Sequence, residues 1–201
     1  MFFTSIFSAL TRAKYPILSV ALTYLAAILV GIIMVNGHVQ FAVDTRDKIV
    51  NQAYNGCNST INALQNGSRI QAALLDFGSN LFLGAMPNTL AGLGVITAYP
   101  IVAYRGWVGG IVSIDGSHIS RLSTLHEAVY YLVTLLLQII PYSLAGGAGV
   151  KLGIEFYRQM TKNDTAKWFV IPRAALADVF RIYLLVIPLF LIASLWEFIM
   201  A

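Results

Sequence analysis

Few residues of this chain are arranged in a way that supports catalysis. His118, His126 and Glu127 form its only cluster of histidine and carboxylate side chains. Adjacent side chains on a helix, such as His126 and Glu127, diverge by about 100°, so these two cannot simply share a metal ion. The sequence contains no HExxH, GxSxG or Walker loop. We therefore expect no enzyme, no cofactor and no metal site. A helix start capped by Ser123 or Thr124 suits the segment better, and a proton-relay or metal site is the alternative.

The composition indicates that this fold is surrounded by lipid. The chain has 201 residues, of which 58% are hydrophobic and 11% are charged, and its mean hydropathy is +0.73. Soluble domains carry roughly 25% charged residues, which cover their surface. This composition argues against a soluble enzyme, a disordered chain and a nucleic-acid binder. It predicts a single all-α domain over residues 1–201, a polytopic transmembrane helical bundle of the cell membrane.

Uncharged runs and basic loops predict the topology. Residues 15–35 carry no charge over 21 positions, about the length that crosses a hydrocarbon core. Residues 151–181 hold six basic and three acidic side chains, so the positive-inside rule makes them a cytoplasmic loop. With an outer loop at 36–71, this predicts about five spans, N-terminus inside and C-terminus outside. One span plus a re-entrant segment is the alternative for 72–112. The predicted spans lie near 15–35, 74–92, 93–111, 128–150 and 182–199.

Small residues recur at spacings that suit close helix packing. Helices in lipid gain little from burying apolar side chains against one another, so close approach requires small residues. The pattern predicts packing faces, with a conduit or a flexible element as the alternative. The residues on these faces are Gly106, Gly110, Ala145, Gly149 and Gly153.

Polar and ionisable residues also occur inside the predicted spans. Pro87 and Pro141 fall within apolar stretches, and we expect a plain bundle whose neighbouring helices tolerate them. Broken helices that line a polar cavity, as in transporters, are the alternative. Arg105 and Glu197 both lie toward the predicted outer face, and an ionisable group at this depth is usually paired. We therefore expect Arg105 and Glu197 to form an intramembrane pair. The candidates for a polar lining are Asn80, Asn88, Gln138, Tyr142 and Ser143.

The predicted outer loop carries features of a non-cytoplasmic segment. Asn58 and Asn66 each begin an N-glycosylation sequon. Apolar residues within 53–73 predict a short amphipathic helix in part of the loop. Cys57 lies in the same segment and is the only cysteine, which excludes an intrachain disulfide.

An ordered set of landmarks resembles a known family. A phenylalanine and asparagine enter a glycine-rich span, a Gly-x-x-x-Gly motif follows, and a proline precedes a small-residue run that ends in Gly-hydrophobic-basic-hydrophobic-Gly. Over residues 77–200 the chain is similar in this order to the stage II sporulation protein M family of integral membrane proteins. The landmarks are Phe77-Gly-Ser-Asn80, Gly92-Leu-Gly94, Tyr104-Arg-Gly-Trp-Val-Gly-Gly110, Pro141–Gly153, and Glu197 after the last apolar stretch.

The resemblance implies a non-catalytic membrane scaffold or a subunit of a larger membrane complex. The name-giving member in spore-forming bacteria resembles a scaffold that helps to hold cell-wall hydrolases. The expected partners are the lipid bilayer, other integral membrane proteins or further copies of this chain. The alternative function is a small transporter or channel component.

Overall fold

Long helices dominate the computed structural model, which describes residues 2–55, 58–115, 119–162 and 171–199. These ranges form no strand beyond one isolated bridge, so the predicted all-α class is confirmed. The helical elements are α1 (Phe2–Asn36), α2 (Gln40–Asn55), α3 (Ser59–Gln65), α4 (Arg69–Gly78), a π-helical segment (Ser79–Ala85), α5 (Met86–Ala91), a 3₁₀ turn (Gly92–Gly94), α6 (Ala98–Ile111), α7 (Leu125–Lys162) and α8 (Arg173–Ile199).

Three of the described helices are long and apolar enough to cross a membrane. They cover Thr4–Asn36, Leu125–Thr161 and Arg173–Ile199, with lengths of 33, 37 and 27 residues. A hydrocarbon core requires about 20 residues of helix. One of the predicted spans falls inside each of these three helices. By length and composition, the chain is therefore compatible with a membrane protein.

The apolar stretch 72–112 forms a helical hairpin. Its first arm is α4, the π-helical segment and α5 in continuous succession, and its second arm is α6. Between the arms, Val95 adopts φ 58° and ψ −65°, and the N–H of Ile96 donates to the carbonyl of Gly94 at 2.6 Å. This γ-turn is strained, because a β-branched residue rarely adopts a positive φ. The turn reverses the direction of the backbone within a few residues.

Contacts with α1 define the direction of α6. The hydroxyls of Ser19 and Tyr99 share a hydrogen bond of 2.8 Å. Further along both helices, Gly110 lies against the backbone of Ile28. Residue numbers increase together on the two helices, so α6 runs parallel to α1.

Helix α7 runs antiparallel to α1. Tyr142 stacks on Tyr24 with ring centroids 6.0 Å apart, while Gly147 lies against the backbone of Ile17. Moving forward along α7 therefore means moving backward along α1.

Helix α8 runs antiparallel to α7. The indole N–H of Trp196 donates to Thr134 at 3.2 Å, and Phe190 packs edge-on against Tyr142 at 4.8 Å. We call the end of the bundle where Arg12 pairs with Asp178 the Arg12 end. The opposite end, where α1 and α6 finish and α7 begins, is the Asn36 end.

The connecting segments contain more helix than the spans alone require. The predicted outer loop 36–71 holds α2, α3 and the first residues of α4, so helix is present within 53–73. In the predicted loop 151–181, α7 continues to Lys162 and α8 begins at Arg173.

A first glycine seam holds α6 against α1. A Cβ atom added at Gly106 would lie 2.6 Å from the carbonyl oxygen of Tyr24, and one at Gly31 would lie 2.5 Å from that of Trp107. A Cβ at Gly110 would fall on the carbonyl oxygen of Ile28. The backbones approach so closely only because these side chains are absent.

A second glycine seam holds α5 and the following turn against α7. Gly149 lies against the backbone of Thr89, and Gly92 lies against Gly149. Gly153 continues the seam on the 3₁₀ turn. The hydroxyl of Thr89 also donates to the carbonyl of Ala145 at 2.9 Å. Because Gly84 lies against Tyr142 earlier in both helices, the first arm of the hairpin runs parallel to α7.

The α1–α6 seam predicts different losses of stability for two adjacent substitutions. Gly110→Ala should destabilise the protein by about 1–3 kcal/mol, because the new methyl group meets backbone that cannot move alone. Gly109→Ala is the matched control, since its Cβ would lie 3.4 Å from a flexible Leu135 methyl. Thermal unfolding in mild detergent measures both. Equal melting temperatures for the two variants would contradict close backbone packing of α6 against α1 at Gly110.

Candidate functional site

A cavity of about 1160 Å³ lies between the two hairpin arms and α7. It is lined mainly by α6 and α7, and the first arm contributes Arg69 and Asn80. Helix α7 contributes a wall, while α2, α3 and the end of α8 contribute residues toward the Asn36 end. The cavity exists because α4 and α6 share no extended packing within the described ranges. Apolar side chains alternate with polar ones along its walls. Its polar and charged lining includes Arg69, Asn80, Arg105, Arg121, Gln138 and Glu197.

A chain of hydrogen bonds begins at the floor of this cavity. The Arg105 Nη1 donates to the Tyr142 hydroxyl at 2.8 Å, and that hydroxyl donates to Asn80 Oδ1 at 2.7 Å. Asn80 Nδ2 donates to Asp76 Oδ2 at 2.8 Å, and the Ser194 hydroxyl donates to the same oxygen at 2.7 Å. The chain therefore connects a guanidinium on α6 with a carboxylate on α4 through two neutral side chains.

Arg105 also links the two arms of the hairpin directly. Its Nη2 donates to the carbonyl of Leu83 at 3.0 Å, and its guanidinium lies 4.9 Å from the centroid of the Tyr142 ring. Leu83 belongs to the π-helical segment, whose altered hydrogen bonding re-aims backbone groups and often marks functional sites. A cation–π contact and a backbone acceptor together stabilise the charge at this position.

Glu197 is bound separately from Arg105. Its Oε2 accepts from Gln138 Nε2 at 3.0 Å, and its backbone carbonyl accepts from the Tyr130 hydroxyl at 2.9 Å. No ion pair joins Arg105 and Glu197 in the described part of the chain. The predicted pair is therefore not formed as a direct contact. The physical reason is that the two residues bind different side chains of α7. Arg105 binds Tyr142, and Glu197 binds Gln138 one helical turn earlier.

The predicted polar lining divides into two groups. Asn80, Gln138 and Tyr142 line the cavity, whereas Asn88 and Ser143 are buried away from it. The side-chain amide of Asn88 and the hydroxyl of Ser143 have no hydrogen-bond partner among the described residues. Asn88 packs against Gly146 at the part of the bundle where the glycine seam closes the space.

The two prolines have different effects on their helices. Pro141 lies inside the uninterrupted α7, so the alternative of a broken helix is not formed there. Proline removes one N–H, and neighbouring groups in a bundle can compensate for it. Pro87 lies in the first turn of α5, directly after the π-helical segment, where a missing N–H costs little. The regular helix is thus interrupted before Pro87.

The other candidates lie outside the cavity. His126 and Glu127 are exposed in the first turn of α7, where Thr124 Oγ1 accepts from the N–H of Glu127 at 3.3 Å. No group of three metal-binding side chains occurs in the ranges that could be described. Asn58 caps α3 by accepting from the N–H of Thr60 at 3.0 Å, and Asn66 is exposed just after that helix. His118 and Cys57 lie outside the described residues.

Sequence reasoning missed the acceptor at the end of the polar chain. The sequence pattern singled out neither Asp76 nor Ser194. The spacing of Asp76 and Asn80 puts both on one helical face, which is a signal that could have suggested a linked pair. Arg69 and Arg121 were also missed, because they belong to connecting segments whose position over the cavity depends on tertiary structure.

The fold and site define an all-α protein with apolar helices of membrane-spanning length and a polar cavity. No protein-family model, curated protein or solved structure matches this chain. The similarity to the stage II sporulation protein M family therefore stays a prediction from the landmarks in the sequence.

The hydrogen-bond chain from Arg105 to Asp76 predicts which pairs of substitutions have coupled effects on stability. In a double-mutant cycle of Arg105→Ala with Tyr142→Phe, the two losses should be non-additive by about 1 kcal/mol, because each removes the same hydrogen bond. In the matched cycle of Arg105→Ala with Glu197→Ala, the losses should add. Unfolding in detergent measures both cycles, with exposed Tyr157→Phe as a control. Coupling in the Glu197 cycle alone would contradict this arrangement.

Proposed function

We propose that this chain is a multi-pass membrane protein of five spans, with its N-terminus inside and its C-terminus outside. The alternating directions of α1, the two hairpin arms, α7 and α8 support this topology. The distribution of charge supports it too. Basic residues of three helices lie toward the Arg12 end, namely Arg12 and Lys14 of α1, Lys151, Arg158 and Lys162 of α7, and Arg173 and Arg181 of α8. Helix α6 has only 14 residues, about 21 Å of helix. A span of this length is shorter than the hydrocarbon core, and local thinning of the bilayer accommodates such a mismatch.

Within this topology, the proposed function is binding of a solute by a small transporter or channel component, without catalysis. One observation carries this proposal, namely the cavity with Arg105, Asn80 and Tyr142 at its floor. Ionisable groups at membrane depth are costly, and they commonly mark substrate or ion pathways. A π-helical segment lies beside the cavity, and such segments are frequent at functional sites.

The Arg12 half of the bundle also supports transport rather than static binding. Below the cavity floor, the glycine seam leaves no passage between α5 and α7, and this closed part holds the unpartnered side chains of Asn88 and Ser143. A buried polar group without a partner costs about 1–3 kcal/mol. A second state in which α5 separates from α7 would expose these groups to water and recover that cost.

A scaffold or complex-subunit function is the second candidate. It is favoured by α2 and α3, which extend beyond the spans at the Asn36 end and could bind partner proteins, and by the resemblance to the stage II sporulation protein M family. The predicted small-residue faces do not add support, because Gly106, Gly110, Gly149 and Gly153 contact helices of this same chain. Copurification from mild detergent separates the candidates, since a scaffold retains a stoichiometric partner.

The proposed topology predicts opposite sides for two introduced cysteines in a Cys57→Ser background. Gln65→Cys, at the end of α3, should react with a membrane-impermeant maleimide added to intact cells. Arg158→Cys, near the end of α7, should react only after permeabilisation. If the hairpin crossed the membrane once instead of twice, both cysteines would react in intact cells.

The cavity predicts different reactivity for two valines of α6 changed to cysteine in the same background. Val108 lines the cavity, so Val108→Cys should react with a water-soluble maleimide. Val102 is fully buried against the core, so Val102→Cys should be protected until the protein unfolds. Both substitutions remove the same side chain from the same helix. Equal protection of the two cysteines would contradict a solute-accessible cavity.

A further inference from the structure

The charged lining of the cavity is predominantly positive. Three arginines, Arg69, Arg105 and Arg121, line it together with a single carboxylate, Glu197. None of these arginines forms an ion pair with a carboxylate in the described ranges. Arg69 and Arg121 are exposed and Arg105 is partly buried. An excess of positive charge along a cavity favours anionic ligands.

The hydrogen bonds leave this positive charge only partly compensated. Arg105 reaches the nearby carboxylate of Asp76 only through Tyr142 and Asn80. Glu197 accepts from the neutral amide of Gln138. A guanidinium carries five N–H donors in a planar arrangement that matches phosphate and carboxylate oxygens. The arginines that line the cavity therefore offer donors suited to an oxyanion.

The remaining walls are apolar and lead to the side of the bundle. Ile101, Val108 and Leu135 line the cavity beside the arginines. Tyr104 lines the cavity and is 59% exposed, so the cavity wall extends to the outer surface of the bundle at this residue. In the proposed membrane topology, the surroundings at this position are lipid. The cavity thus combines donors for an anion with an apolar path to the bilayer.

We infer that the cavity binds an amphipathic anion, meaning an oxyanion headgroup such as a phosphate that carries an apolar chain. The headgroup binds at the arginines, and the chain lies along α6 and leaves between the arms. A free inorganic anion would use the arginines but leave the apolar walls without contact. This inference rests on the proposed function, since it names the class of ligand for the same cavity.

Protection of an introduced cysteine tests the inference at the site itself. Purified Val108→Cys protein in a Cys57→Ser background is reacted with a water-soluble maleimide in mild detergent. The probes are dioleoyl phosphatidylglycerol, dioleoyl phosphatidylcholine and inorganic phosphate at equal concentration. We expect phosphatidylglycerol to slow labelling about tenfold, because a charge-assisted hydrogen bond to the headgroup is strong in this environment. The zwitterionic lipid and phosphate should leave the labelling rate unchanged.

Substitutions that remove charge test which arginines bind the lipid headgroup. Arg69→Gln combined with Arg121→Gln should abolish protection by phosphatidylglycerol. Arg158→Gln combined with Arg173→Gln, which removes the same charge at two exposed positions outside the cavity, should preserve it. Equal loss of protection in both variants would overturn the inference, because the lipid would then respond to overall charge.

The remaining outcomes separate this inference from the proposed function. Equal protection by both lipids overturns the selection for an anion, and protection by phosphate as strong as that by phosphatidylglycerol overturns the requirement for an apolar chain. In both cases the cavity stays accessible and the proposed function stands. If Val108→Cys does not react even without a probe, the proposed function fails as well.

Discussion

Two glycine seams on different neighbours determine the shape of this bundle. Gly106 and Gly110 draw α6 onto α1, while Gly92, Gly149 and Gly153 draw the other arm of the hairpin onto α7. In lipid, such backbone contacts replace the apolar burial that drives packing in water. The two arms are joined at the Arg12 end by a tight turn, yet they are pulled toward different helices. The space between them toward the Asn36 end is the cavity, so the cavity is a consequence of where the glycines lie.

Tyr142 connects this packing to the polar chemistry. Its ring contacts Tyr24 and Phe190 from two other helices, and it fits beside the first hairpin arm because Gly84 has no side chain there. Its hydroxyl accepts from Arg105 and donates toward Asn80. The same side chain thus packs in the core and connects the Arg105 guanidinium to Asp76 through hydrogen bonds that pass by way of Asn80. In a chain with so few charged residues, this arrangement lets one positive charge lie deep in the bundle without a direct ion pair.

The sequence predicted the features that depend on local pattern and missed those that depend on assembly. Uninterrupted apolar runs were sufficient to locate α1, α7 and α8, and the small-residue spacing identified Gly106 and Gly110. The π-helical segment was not predicted, because a shifted backbone hydrogen bond leaves no mark in composition. The partner of Arg105 was also wrong, since the choice between Glu197 and Tyr142 depends on which face of α7 lies between α6 and α8. At Pro141 the sequence left both alternatives open, because only tertiary contacts decide whether a proline interrupts a helix.

If the cavity binds the proposed anion, the position of Arg105 would make ligand binding and hairpin geometry depend on each other. Its guanidinium donates to the carbonyl of Leu83, which is the hydrogen bond that joins the two arms beside the cavity. An oxyanion at the floor of the cavity would compete for the same donors, because a charged acceptor forms a stronger bond than a backbone carbonyl. Occupancy would then weaken the link between the arms, while the glycine seams continue to hold each arm on its own neighbour. A ligand can shift a conformational equilibrium only by binding two states differently, and a shared donor at a junction provides that difference.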